Sequence, residues 1–167
     1  MSKSNSILDH IEGRGTVCKR LIDNRTGEVV KELIDHNLIV KTGRNTLIKM
    51  IAGKTQTSVT HMAVGYGGTK NLREEAFNPV APDPSDAGLK HEVIKKELFS
   101  TEVNVDETNP KVTFVGRFDC SEVNELINEC GLFFESESVM FARHTFDTVS
   151  LKNSSNFSLQ ISWTIEF

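Results

Sequence analysis

Residues 157–167 read Phe-Ser-Leu-Gln-Ile-Ser-Trp-Thr-Ile-Glu-Phe, and this segment decides the fold. An apolar side chain occupies every odd position, and a polar side chain lies at each position between. Because a strand turns successive side chains to opposite faces, the pattern predicts a half-buried strand with one apolar face. A chain terminus frays unless something holds it, so we expect this strand to be paired in a sheet or held by a partner subunit.

The composition is that of a globular protein. The chain has 167 residues, of which 38% are hydrophobic and 25% are charged, and its formal net charge is -4. This length predicts one domain over residues 1–167. The negative charge predicts that nucleic acid is not a partner. The start of the chain lacks a secretory pattern and no apolar run could span a bilayer, which predicts no membrane association and synthesis in a cytoplasm.

The first half of the chain contains patterns for a hairpin, a helix and a strand. Short extended runs at 15–23 and 28–34 flank an Asn-Arg-Thr-Gly turn, which predicts a hairpin. Thr42 is expected to cap a helix over 43–52, with Leu47, Met50 and Ile51 on its buried face and Gly53 at its end. A strand is predicted over 59–64. Residues 1–14 are predicted to be a flexible N-terminal arm.

The second half contains regularly spaced strands and turns. Alternating patterns predict strands over 97–105, 111–118, 126–134 and 138–146, followed by the terminal strand. The fold class predicted is therefore mainly β: an antiparallel, jelly-roll-like β-sandwich with one short α-helix and a long Gly/Pro-rich loop. The residues expected in the structural core are Leu47, Met50, Phe114, Phe118, Leu132, Phe141, Phe157, Leu159, Ile161, Trp163 and Ile165.

Residues 66–89, which we call the Gly/Pro segment, have neither a helix nor a strand pattern. Three of the four prolines of the chain lie there, among Gly, Asn and Asp. Connections of this length inside a domain usually contact a partner or lack fixed structure, so we predict a protruding loop. The expected interface residues lie in this segment and at the end of the chain: Tyr66, Asn71, Phe77, Pro79, Pro82, Pro84 and Phe167.

No pattern predicts a catalytic residue, a metal ligand, a cofactor or a small-molecule substrate. The glycine-rich run 65–70 lacks the helix start that a phosphate-binding loop needs, and the five histidines lack metal-ligand spacing. The carboxylate pairs Asp83 with Asp86 and Glu135 with Glu137 are interpreted as exposed loop acids, because neither has the spacing of a calcium loop.

The cysteines offer one alternative chemistry. Cys18, Cys120 and Cys130 lack the spacing of a zinc site or a disulfide framework, which predicts buried reduced thiols. Cys130 with His144 could form a nucleophile and base pair, since such pairs meet in space rather than in sequence, and the chain would then be a hydrolase. Ordinary strand packing is the favoured interpretation of both residues.

The aromatic residues favour assembly. Ten phenylalanines accompany one Tyr and one Trp. Carbohydrate and nucleic-acid platforms favour Trp and Tyr, whose polar tips tolerate a wet surface, whereas Phe is typical of cores and permanent interfaces. The sequence does not separate a core from an interface with neighbouring copies, but a Phe-rich β protein without catalytic residues is well suited to assembly.

Several short motifs follow one another over residues 42–167: Asn45-Thr46-Leu47, Met62-Ala63-Val64-Gly65-Tyr66-Gly67, Asn128-Glu129-Cys130-Gly131-Leu132-Phe133, Met140-Phe141-Ala142-Arg143-His144-Thr145-Phe146, Lys152 and Ile161-Ser162-Trp163-Thr164-Ile165-Glu166-Phe167. In this order they resemble small virion structural proteins of tailed bacteriophages, of the kind found in necks, collars, tails and baseplates.

The resemblance implies a non-enzymatic virion subunit that self-assembles into the neck or collar, or into the tail apparatus, and meets other virion proteins. The alternative is a tail-tip, fibre-attachment or baseplate module that binds a host surface glycan through the Gly/Pro segment. The terminal strand is expected beside the strands of 126–146. Glu129 and Arg143 are expected to form a cross-strand ion pair, worth about 0.2–1 kcal/mol if exposed.

Overall fold

The computed structural model describes residues 14–136 and 138–167, so the acid at 137 and all of the predicted arm over 1–14 except Arg14, which begins the first strand, lie outside the described residues. In chain order the main elements are β1 (Arg14–Asp23), β2 (Val29–His36), β3 (Leu38–Ile39), α1 (Lys41–Ile51), β4 (Val59–Tyr66), β5 (Lys70–Asn71), β6 (Ala76–Phe77), β7 (His91–Glu97), β8 (Val103–Asp106), β9 (Lys111–Asp119), α2 (Cys120–Val123), β10 (Leu126–Phe134), β11 (Met140–Ser150) and β12 (Phe157–Glu166).

The strands form two five-stranded antiparallel sheets. The first sheet has the order β2-β1-β12-β9-β8, and the second has the order β3-β11-β10-β4-β7. One apolar core contains side chains of both sheets, such as Phe114 and Trp163 from the first with Leu132 and Phe141 from the second. The predicted class, a mainly-β antiparallel sandwich with one main helix, is confirmed.

The terminal strand lies at the centre of the first sheet. Every residue of β12 has a partner on β9 or β1, for example Trp163 opposite Phe114 on one side and Val17 on the other. The expectation that it lies beside the strands of 126–146 is wrong, because β10 and β11 belong to the opposite sheet. The alternation of apolar and polar residues shows which face of a strand is buried. It does not show to which sheet the strand belongs, because both sheets of a sandwich bury an apolar face.

The burial of β12 follows the alternation on its inner face. Leu159, Ile161, Trp163 and Ile165 are buried, Phe157 is half-buried, and Phe167, which follows the strand, is 62% exposed. The outer face is less exposed than the pattern suggests. Ser158 is fully buried there, where its hydroxyl donates to Asn24 Oδ1 at 2.8 Å.

The other expected core residues also lie at the interior. Phe114, Phe118, Leu132 and Phe141 are buried, while Leu47 and Met50 are half-buried and pack against the core from α1.

Helix α1 begins two residues earlier than the sequence suggests. Val40 precedes it, and the Thr42 hydroxyl donates to the Met140 carbonyl at 2.8 Å instead of capping the helix. A Cβ at Gly43 would overlap the Phe141 carbonyl oxygen, so this glycine lets α1 approach β11 closely. Ile51 is 88% exposed, so its placement on the buried face is wrong. Gly53 ends the helix with a φ of +63°.

The predicted strand over 97–105 is in fact two strands in different sheets. β7 ends at Glu97 in the second sheet, a 3-10 turn follows over Ser100–Glu102, and β8 begins at Val103 in the first sheet. The chain therefore crosses from one sheet to the other here, with Phe99 exposed at the crossing. Neither Gly nor Pro lies between the two strands, so the sequence contains no breaker that would indicate the crossing.

Candidate assembly surface

The expected interface residues fall at two ends of the sandwich. Tyr66 lies at the end of β4, and the others of the Gly/Pro segment follow it, whereas Phe167 lines an apolar pocket with Val59 at the start of β4. Strand β4 runs from one end to the other with eight residues, a length of about 25 Å. Pro79 and Pro84 are exposed, and Asn71, Phe77 and Pro82 are half-buried.

The Gly/Pro segment has fixed structure. Its strands β5 and β6 form a two-stranded sheet, and the segment is held against β10 and β11 at its start, middle and end. At the start, the Asn128 side chain accepts from Gly67 N at 2.8 Å and donates to Gly67 O at 2.9 Å. Asn128 is fully buried. Its side-chain amide pairs with both the N–H and the C=O of Gly67, as the backbone of a neighbouring strand would.

The middle of the segment is held by an aromatic stack and a hydroxyl. The Tyr66 ring stacks with the rings of Phe77 and His91, whose centroids lie 4.7 and 4.9 Å from its own. The Thr148 hydroxyl accepts from Phe77 N at 2.8 Å and donates to Phe77 O at 3.2 Å. Two aromatic rings of the protein itself therefore stack on the Tyr66 ring.

The end of the segment is held by a buried ion cluster, which we call the Arg143 cluster: Arg143, Glu129 and Asp86. The Arg143 guanidinium is fully buried and donates to Glu129 Oε2 at 2.6 and 3.0 Å and to Asp86 Oδ2 at 2.8 Å. Glu129 also accepts from Lys90 N at 2.7 Å. Strands β10 and β11 supply Glu129 and Arg143, and the segment supplies Asp86.

Two interpretations of acidic residues are corrected here. Glu129 and Arg143 do pair across neighbouring strands, but both side chains are fully buried, so the value for an exposed pair does not apply. Asp86 is a buried partner of Arg143 and not an exposed loop acid. Burial alone would raise the pKa of Asp86, but hydrogen bonds from Asp83 and Lys90 and the Arg143 charge hold this pKa below its usual range.

Cys130 and His144 are register neighbours on β10 and β11. Both ring nitrogens of His144 have other partners: Nδ1 donates to the His36 carbonyl at 3.0 Å, and Nε2 accepts from Lys19 Nζ at 2.6 Å. Burial, then the charge of Lys19, lowers the pKa of His144 to about 4. Burial also raises the pKa of the Cys130 thiol. Both shifts oppose the formation of a thiolate and an imidazolium.

The surface that sequence reasoning missed is strand β2. All its residues are exposed, although four of its eight side chains are large and aliphatic: Val29, Val30, Leu33 and Ile34. Leu33 lies opposite Lys19 on the inner face of β1, and Ile34 lies opposite Cys18 on the outer face. The signal was present in the sequence, because two adjacent aliphatic pairs put apolar side chains on both faces of a strand.

Within residues 14–136 and 138–167, no cluster of His, Cys, Asp and Glu could hold a metal ion. None of the helices described there is both long and apolar enough to cross a membrane.

The protein is a β-sandwich module with two distinguishing features: a long loop that is anchored to the second sheet, and an edge strand with exposed aliphatic side chains. The chain belongs to the family of the phage tail-collar fibre protein, N-terminal, whose model matches residues 36–161. It is thus a structural protein of the tail of a tailed phage, and a component of the virion, which confirms the resemblance seen in the sequence. No curated protein and no solved structure matches the chain.

Proposed function

We propose that this chain is a non-enzymatic subunit that self-assembles into a homo-oligomer in the collar or neck, or in the tail apparatus, of the virion. The observation that carries the proposal is the exposed aliphatic side chains of β2, which lie on both faces of one sheet edge. Large apolar side chains grouped on a surface favour burial against another protein. Membership of the tail-collar fibre family supports this position in the particle.

The absence of catalysis is supported by how the polar groups of the interior are used. The Arg143 cluster holds the Gly/Pro segment, and His144 is engaged by Lys19 and the His36 carbonyl. The hydrolase alternative would need Cys130 as a thiolate, which its full burial disfavours.

The Gly/Pro segment is the second contact element that we propose, and other virion proteins are its partners. Its exposed residues include Pro79, Pro84 and Leu72, and it is held against β10 and β11 at three places, through the backbone of Gly67 and Phe77 and the side chain of Asp86. A surface that is already ordered loses little conformational entropy when a partner binds. The chain is made and folded in the cytoplasm of the bacterial host before assembly.

Glycan binding by the same segment is the weaker candidate. A sugar-binding aromatic platform needs a free ring face, but Phe77 and His91 already stack on the Tyr66 ring. A glycan array tests this alternative, and binding that is lost in Tyr66→Ala but kept in Phe99→Ala would support it over virion assembly through this segment.

Immunogold electron microscopy of purified virions tests the proposed position. We expect gold particles at the collar, neck or tail, in a number set by the copy number of the oligomer. Labelling with an antibody against a capsid protein is the control for access. Absence of the chain from purified particles would reject the proposal. Sedimentation equilibrium of the isolated chain tests self-assembly, and a monomer at all concentrations would contradict it.

A further inference from the structure

We propose that β2 joins two copies of this chain as antiparallel strands, with Leu33 on a two-fold axis, so that the two first sheets become one continuous sheet. The proposal rests on the self-assembly proposed above and names its interface and its symmetry. The partner is a second copy of this chain.

Among the four edges of the two large sheets in the described residues, β2 differs from the other three. β3 has two residues and β8 has four, which are short for strand pairing. β7 has seven residues, but its sequence HEVIKKE is mostly charged. β2 has eight residues, and its sequence VVKELIDH is half aliphatic. Short or charged edges prevent association, so β2 is the edge that remains open to another strand.

A bulge limits the pairing length of β2. The register with β1 shifts between Leu21 and Ile22, where Leu21 lies opposite Lys31 and Ile22 lies opposite Val29. The regular part of β2 therefore runs from Lys31 to His36, with Leu33 near its middle. A second strand pairs along this regular part.

The charges of β2 select the second copy as its partner. A two-fold axis through Leu33 places Lys31 of each copy opposite Asp35 of the other, with Leu33 facing Leu33 between two ion pairs. Shifting the axis to Glu32 would place two carboxylates opposite each other. Shifting it to Ile34 would place Asp35 opposite Leu33 and Lys31 opposite Asn37, so that neither of these charges has a partner and only Glu32 faces His36. Opposite charges directly across a strand pair are favourable and like charges are not, so one register is preferred.

The inner and outer faces of β2 both gain from this pairing. Leu33 lines a small apolar cleft with Phe146 and Val149 of β11, and a second Leu33 would extend the apolar surface over it. On the outer face, Ile34 is 67% exposed and would lie opposite Glu32 of the other copy, so pairing covers Ile34 only in part.

Charge reversal tests the proposal in solution. Lys31→Asp and Asp35→Lys should each weaken self-association of the full chain at least about tenfold in sedimentation equilibrium, since each creates two like-charge contacts in a dimer. A mixture of the two variants should associate as a heterodimer, because all charges again match. Lys54→Asp, an exposed lysine after α1, is the matched control and should leave association unchanged.

A cysteine cross-link provides the second measurement. In a Cys18→Ser background, Leu33→Cys should form a disulfide-linked dimer under mild oxidation, whereas Val105→Cys on the opposite edge should not. Circular dichroism checks that each variant folds. If D35K fails to fold, K31D and the cross-link decide the question.

The outcomes separate the two proposals. A wild-type oligomer that K31D leaves intact, or one that cross-links through V105C and not L33C, overturns the β2 interface while self-assembly stands. A wild-type chain that is monomeric at all concentrations overturns self-assembly and the interface together.

Discussion

The Gly/Pro segment and strand β2 reverse what their sequences suggest. The segment looks like an unstructured loop, yet Asn128, Thr148 and the Arg143 cluster hold it in place. β2 is a regular strand, yet one edge and most of its side chains face solvent. Regular backbone alone therefore does not place a strand in the interior. What distinguishes the two regions is whether neighbouring strands supply partners for their polar and apolar groups.

The largest expected effect tests the anchoring of the segment. Arg143→Ala leaves Glu129 buried without a cation and leaves Asp86 with Lys90 alone, and we expect a loss of about 3–5 kcal/mol in the free energy of unfolding. Denaturant titration measures this loss, and limited proteolysis should show faster cleavage in 66–89. Arg20→Ala is the control, because its pair with Glu32 on β2 is exposed and should change the free energy of unfolding far less. Equal losses in the two variants would contradict the difference between the regions.

The second expected effect is a dependence of stability on pH. His144 has an ordinary pKa of 6.5 and a folded-state pKa of about 4. Between these values the unfolded chain binds a proton and the folded chain does not, so stability is lost as the pH falls from 6.5 towards 4. At pH 5 we expect a loss of about 2 kcal/mol relative to neutral pH.

Denaturant titrations at pH 7 and pH 5 measure this loss. His144→Asn should reduce the difference between the two pH values, since an amide can donate to the His36 carbonyl and accept from Lys19 without titrating. His36→Asn, on the exposed face of β2, is the matched control and should keep the pH dependence of the wild type. An unchanged dependence in H144N would assign the effect to other groups.

Much of the fold could be predicted from the sequence, because burial on a sheet follows a period of two. The alternation in 157–167 identified the inner face of β12, with Trp163 among its buried residues. The neighbours of β12 could not be predicted, since inner faces of both sheets have the same pattern. The point after Glu97 where the chain crosses from the second sheet to the first could not be predicted either, because neither Gly nor Pro lies there.

The anchoring of the Gly/Pro segment was harder to predict than the strands. Asp86 and Arg143 are 57 positions apart, and no local pattern relates them. Glu129 and Arg143 could be paired because they lie on neighbouring strands, but their burial depends on the segment that covers them. The position of β2 at a sheet edge could not be predicted either, although its apolar side chains on both faces are visible in the sequence, since a strand with one partner and a strand with two can have the same local pattern.

A smaller effect is expected at the start of the segment. Asn128→Ala removes both hydrogen bonds to Gly67 and leaves its buried peptide group without them, so we expect a loss of about 1.5 kcal/mol in the free energy of unfolding. Asn71→Ala is the control, because its side chain accepts one exposed hydrogen bond, from Arg73 N. A loss in N128A no larger than in N71A would mean that this end of the segment is not held by the amide.

The smallest expected effect lies on β2. Ile34→Ala should change the free energy of unfolding by less than about 0.5 kcal/mol, because the side chain contacts few neighbours in the isolated chain. The measurement is denaturant titration at a protein concentration at which the chain is monomeric, so that association does not contribute. Val17→Ala on the neighbouring strand β1 is the matched control, since Val17 is fully buried and should lose at least about 1 kcal/mol. A loss in I34A equal to that in V17A would show that β2 is part of the core, and the contrast between an anchored loop and an open strand would then fail.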